Sequence, residues 1–170
     1  MKIKYYEYLG RITVRFNDLE TVIKFFIADL INKNENEVGL IVCNDLNSFK
    51  AVINLLKSLF EYKIKDLEGN KLFTEFFKVC EKLAVKRNTL IHSMYLDNLS
   101  EKNKSIRVKS KIKKAYFSFE HINDESFVEI INDIDECYSN YDTLVKYLEK
   151  NGIYKLSEVD LKIRKFATEE

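Results

Sequence analysis

Residues 5–30 read YYEYLGRITVRFNDLETVIKFFIADL. Within them Tyr5, Leu9, Ile12, Phe16, Leu19, Ile23, Phe26 and Leu30 recur at alternating spacings of four and three. A helix advances about 100° per residue, so these side chains line up as one apolar stripe along a rod. A strand with one buried face would alternate every second residue instead. The stripe predicts a helix from about residue 3 to 32, with Gly10 the point at which it would bend.

The same period continues downstream. Phe49, Val52, Ile53, Leu56, Leu59 and Phe60 define a second helix over about 45–63, with Asn44, Asn47 or Ser48 as its cap. Phe73, Phe76, Cys80, Leu83 and Leu90 define a third over about 70–93. Phe127, Ile130, Ile134, Tyr138, Tyr141, Leu144 and Leu148 define a fourth over about 125–150, and Gly152 follows where a C-terminal cap belongs. Four long amphipathic helices imply an all-α fold, an up-and-down four-helix bundle. Between the third and fourth helices the period drops to two. Ile106, Val108 and Ile112 alternate with Arg107, Lys109, Lys111 and Lys113, while Phe117 and Phe119 alternate with Tyr116, Ser118 and Glu120. That predicts a small β-hairpin or irregular excursion over about 94–121. The tail, 153–170, has weak periodicity and is placed only loosely.

Composition narrows the function. A chain of 170 residues, 46% hydrophobic and 32% charged, reads as one globular domain over 1–170. With no proline and only four glycines, a turn-rich β fold is excluded, and so are Gly-rich phosphate loops. Cys43, Cys80 and Cys137 are far apart, no CxxC pair exists and there are only two histidines. No metal site and no cofactor are therefore expected, and the cysteines read as reduced core residues. The longest apolar runs span four residues, against about 20 for a membrane helix, and no apolar signal stretch opens the chain. The expectation is a soluble, cytoplasmic protein with no membrane partner. The net charge of +1 gives no whole-chain attraction to nucleic acid, so any electrostatic argument is local.

Arg87 breaks the pattern of the third helix. Its ladder runs Phe73, Phe76, Cys80, Leu83, Arg87, Leu90, and the seam position that should be apolar carries a guanidinium. That group stays charged at any ordinary pH, so the site must supply partners or water. His92 lies five residues further along the same helix. By helix geometry Arg87 and His92 are about 140° apart, whereas Asn88 and His92 are about 40° apart. One helix brings the arginine and histidine tips together poorly; two copies packed across a twofold axis would converge on one cleft. The plain alternative is an arginine that serves the negative end of the helix dipole.

The segment Arg87-Asn-Thr-Leu-Ile-His92-Ser, at the end of the third long helix of a bundle, resembles the signature of HEPN domains. That motif is an arginine, four to six residues and a histidine, often with a polar residue directly after the arginine. Here the gap is four and the polar residue is Asn88. The resemblance covers roughly residues 3–150, its specific part only these seven residues. It implies a metal-independent endoribonuclease of a bacterial toxin–antitoxin or antiviral defence system, acting as a homodimer with a composite site. It further implies that Arg87 stabilises charge on the scissile phosphate, that His92 acts as general acid/base, and that Asn88 orients the phosphate or the imidazole. Ser93 and Tyr95 beside the histidine become supporting candidates. Some toxin members paired with a nucleotidyltransferase antitoxin carry a tyrosine two residues after the histidine; Met94 stands there in this chain and Tyr95 follows. Other HEPN-like modules bind nucleotide, RNA or a partner protein without cutting, and a purely structural helical domain is a third reading.

The chemistry is coherent without a metal. An RNA 2′-OH that attacks the adjacent phosphate needs a proton carrier titrating near neutrality, which histidine is, and a planar cation for the phosphate oxygens. From Lys102 to Lys114 there are seven cations and no acid, which leaves the remainder of the chain at −6. Arg107, Lys109, Lys111 and Lys113 form a stripe suited to an RNA backbone, or equally a charged edge that resists aggregation. Two readings of Glu20 also stand. It pairs with Arg87 inside the bundle, or it is solvated beside the apolar stripe. An antitoxin or regulatory protein is the other partner expected. His121 reads as a loop or helix-entry residue.

Overall fold

In a computed structural model, the backbone is described for residues 2–32, 36–91, 94–97, 105–111, 116–122 and 124–155, and side chains for 5–32, 37–91 and 124–155. The architecture is helical, with a small sheet inserted late. Helix α1 spans Lys2–Ile31, α2 Asn36–Asn44, α3 Phe49–Lys63, α4 Leu67–Ile91 and α5 Asp124–Lys150. Strands β1 (Met94–Asp97), β2 (Ser105–Lys111) and β3 (Tyr116–Ile122) lie between α4 and α5.

The stripe that opens the chain forms one helix, uninterrupted at Gly10. Ile12, Leu19, Ile23 and Phe26 are fully buried, and Tyr5, Phe16 and Leu30 nearly so. α1 packs on α2, α3 and α5, and α4 packs on α3 and α5, so α1 and α4 face each other across a shared core. Phe60 and Phe73 stack at 4.1 Å, and Phe26 meets Tyr141 edge-on at 5.6 Å. Aromatic pairs of this kind contribute about 0.5–1.5 kcal/mol beyond the area they bury.

Local chemistry sets the helix ends. Ser48 caps α3, its Oγ accepting from the Ala51 amide at 3.2 Å. α3 therefore begins at Phe49, and the expected start near 45 is corrected. The residues before it form α2, which the sequence pattern did not reveal. Gly39 lets α2 approach α1 backbone to backbone; a Cβ there would stand 2.4 Å from the Ala28 Cα. α4 begins at Leu67, three residues before the expected position, because Asp66 caps it: Oδ2 accepts from the Gly69 amide at 2.6 Å and from the Tyr147 hydroxyl at 2.7 Å. Gly152, at φ +65°, ends α5. Its amide donates to the Glu149 carbonyl and the Ile153 amide to the Leu148 carbonyl, the paired bonds of a Schellman motif.

The sheet has the order β1-β2-β3, both pairs antiparallel. His121, read from the sequence as a loop or helix-entry residue, lies within β3, in register with Ile106 and three residues before α5. Among the described residues, no helix is long and apolar enough to cross a membrane. Tail residues 156–170 lie outside the described residues.

Candidate functional site

The end of α4 carries three cations, Lys82, Lys86 and Arg87, and α5 answers only two of them. The Asp133 carboxylate, almost fully buried, accepts from Lys82 Nζ at 3.2 Å and from Lys86 Nζ at 2.6 Å. Lys86 also reaches Glu129 at 2.5 Å. Burial works against the Lys86 charge, yet the hydrogen bonds to Asp133 and Glu129 outweigh it and hold the ammonium above its ordinary pKa. Both lysines are thereby committed to clasping α4 against α5.

Arg87 turns the other way, between α4 and α1. Its guanidinium carbon lies 4.9 Å from the centroid of the Phe16 ring on α1, a cation–π stack across the core. Nη1 donates to Asn88 Oδ1 at 3.1 Å. Among the described residues, the enclosed Nε has no hydrogen-bond partner and no carboxylate pairs with the guanidinium. The Glu20–Arg87 pairing is not formed. Glu20, partly exposed, bonds Lys24 Nζ at 2.8 Å, one helical turn along its own helix. An arginine has five N–H donors. Here one goes to Asn88, one is enclosed, and the other Nη donors have no acceptor among the described residues. A planar cation with one face on an aromatic ring and N–H donors to spare has the chemistry to receive an oxyanion.

The other predicted residues divide by placement. Asn88 is exposed and joined to Arg87. His92, Ser93 and Lys113 lie outside the described residues. Tyr95 in β1 is in register with Arg107 in β2, which is itself opposite Glu120 in β3. Lys109 and Lys111 follow Arg107 at alternate positions of β2, opposite Ser118 and Tyr116. The cross-strand register therefore puts Tyr95, Arg107, Lys109 and Lys111 in one alternating set. Phe16 was not foreseen as a site residue, because its place in the α1 stripe marks it only as core.

A cleft of about 820 Å³ opens at the opposite end of the helices, lined by Asp29, Lys63, Glu149, Tyr154 and neighbours. Its polar groups are largely engaged already: the Tyr154 hydroxyl donates to Asp29 at 2.5 Å, and Lys63 Nζ to the Ile31 carbonyl at 3.2 Å. The candidate site is thus the Arg87 end. No family model, curated protein or solved structure matches the chain, so this geometry and the sequence motif carry the functional argument alone.

Proposed function

We propose that this chain is a HEPN-like, metal-independent endoribonuclease that works as a homodimer, in a bacterial defence or toxin–antitoxin setting. One observation carries the reading. Arg87 occupies a core seam without a carboxylate partner among the described residues, stacked on Phe16, while the two neighbouring lysines are neutralised by α5. The enclosed, unbonded Nε offsets most of what the Phe16 stack and the Asn88 bond return, so the fold gains little from the charge and keeps that cation for a ligand.

In this reading the four long helices form a bundle of the HEPN type, and the dimer sets two α4 ends side by side. Arg87 donates to the non-bridging oxygens of the scissile phosphate. The 2′-OH attacks phosphorus and gives its proton to one His92. The P–O5′ bond breaks, and the leaving oxygen takes a proton from the second His92. Asn88 holds the Arg87 Nη1, which fixes the plane of the guanidinium. Arg107, Lys109 and Lys111, spaced two apart on β2, follow the RNA backbone.

The test is incubation of total RNA in EDTA with purified wild type, Arg87→Ala and His92→Ala. Wild type cuts and leaves 2′,3′-cyclic phosphate ends, and neither variant does. Cleavage that requires a divalent metal, or that proceeds on a substrate with a 2′-deoxy sugar at the cut site, overturns the mechanism. Wild type that binds RNA or nucleotide at Arg87 and never cuts identifies a non-catalytic binding module instead.

A further inference from the structure

The core holds a pair of groups that the proposed reaction does not use. Cys80 on α4 and Cys137 on α5 are both fully buried, and their sulfurs lie 3.1 Å apart. A disulfide needs about 2.05 Å, so the sulfurs have only about 1 Å to travel. The two helices are already fixed on either side of the pair. Lys82, two residues after Cys80, bonds Asp133, four residues before Cys137, and at the far end Asp66 before α4 accepts from Tyr147 on α5. The third cysteine, Cys43, sits on α2, where its Sγ meets the Lys24 carbonyl at 3.8 Å. Among the described residues no hydrogen bond joins it to the other two.

The geometry points to a covalent modification site: Cys80 and Cys137 form a reversible disulfide between α4 and α5 when the folded protein meets hydrogen peroxide. The class of oxidant follows from burial. Neither sulfur has any exposed surface, so a small neutral peroxide reaches them through packing fluctuations, and a bulky disulfide such as oxidised glutathione does not. Burial, with Cys137 adding to it, also pushes the Cys80 thiol well above its usual range. The reduced pair therefore persists as thiols at neutral pH and reacts only under sustained oxidant.

The chemistry balances. One sulfur, as its thiolate, attacks a peroxide oxygen; the O–O bond breaks and the departing hydroxide takes up a proton as water. The resulting sulfenic acid is attacked at sulfur by the second thiol; the S–O bond breaks and a second water leaves. Two thiols are oxidised by two electrons and one peroxide is reduced to two waters. The bond closes a loop of 57 residues that includes the whole sheet, a span long enough to raise the thermal midpoint by roughly 10 °C for a chain of this size.

The experiment uses the full folded chain. Wild type is treated at neutral pH with hydrogen peroxide or with oxidised glutathione, unfolded in an alkylating agent, and mapped by mass spectrometry. Peroxide is expected to give a Cys80–Cys137 cross-linked peptide, loss of two hydrogens from the intact mass, and a thermal midpoint higher by roughly 10 °C that reductant reverses. Cys43→Ser keeps the bond and the shift, whereas Cys80→Ala and Cys137→Ala lose both. Because those two substitutions touch the core, the peptide map of the wild type decides the matter on its own. Cys80 and Cys137 fully alkylated after peroxide, or cross-links that involve Cys43, overturn the proposal. Equal cross-linking by oxidised glutathione overturns the restriction to a small oxidant.

Discussion

Replacing Arg87 with methionine should separate what the fold needs from what the site needs. Methionine keeps an unbranched stem to lie against Phe16 and deletes the charge. Three contributions then change. The enclosed Nε–H no longer goes unsatisfied, which relieves about 1–3 kcal/mol. The cation–π stack on Phe16 is lost, about 1–2 kcal/mol for a half-buried pair, partly replaced by a sulfur–aromatic contact of about 0.5 kcal/mol. The hydrogen bond to Asn88 is lost, about 1 kcal/mol. These nearly cancel, so the denaturation midpoint in urea should correspond to wild-type stability within about 1 kcal/mol. An arginine whose role was a buried ion pair would instead cost about 3–5 kcal/mol on removal. Over the same substitution RNA cleavage should fall at least about 100-fold, the usual cost of deleting one transition-state donor. A loss of more than about 3 kcal/mol in Arg87→Met, with activity falling only in proportion to the unfolded fraction, would refute the functional assignment and make the arginine structural.

Gly39→Ala should destabilise by about 2 kcal/mol in urea unfolding, since the added Cβ lands 2.4 Å from the Ala28 Cα; the helix-propensity gain of about 1 kcal/mol is the smaller effect, and a net gain in stability would contradict the α1–α2 approach. Asp66 should make the fold acid-sensitive. The bonds from the Gly69 amide and the Tyr147 hydroxyl hold its carboxyl below the ordinary value of 3.8, so its contribution is complete above that value and is lost as pH falls through the folded one. Asp66→Asn should accordingly show a smaller drop in thermal midpoint between pH 5 and pH 3 than wild type, and an unchanged drop would assign the acid sensitivity elsewhere. Lys109→Glu with Lys111→Glu should weaken RNA binding and lower the log–log salt slope by about 1–2, with the helical circular dichroism retained; an unchanged slope returns these lysines to edge protection.

The sequence was most legible where a single face is buried along an unbroken period. Every residue of the α1 stripe but Leu9 is buried, and the helix bounds fall within one residue of the expected ones. Arg87 was visible for the same reason, as the one polar break in the α4 seam. α2 was not legible because its nine residues include Gly39 and three valines or isoleucines, poor helix formers, and the contact with Ala28 is what makes it a helix. The fate of Glu20 was undecidable for a different reason. Its partner Lys24 is as plain in the sequence as Arg87, and the choice turns on which way the arginine side chain leaves α4. Asp133 reads as one polar residue among several on α5, and its burial against two lysines depends on how α5 is rotated against α4. Phe16 looks like any other stripe residue until a guanidinium is laid over its ring.

The clasp between α4 and α5 has an evolutionary consequence. Lys86 lies five residues before the end of α4, and its partner Glu129 five after the start of α5, so the connection between the helices leaves and re-enters the scaffold at adjacent points. A connection anchored in that way is modular. The entropy of closing it changes by only about 0.6 kcal/mol for each doubling of its length. Lineages are then free to lengthen, shorten or recharge the sheet-bearing insert, and so retune what the molecule recognises, while the helices that hold Arg87 in place need not change.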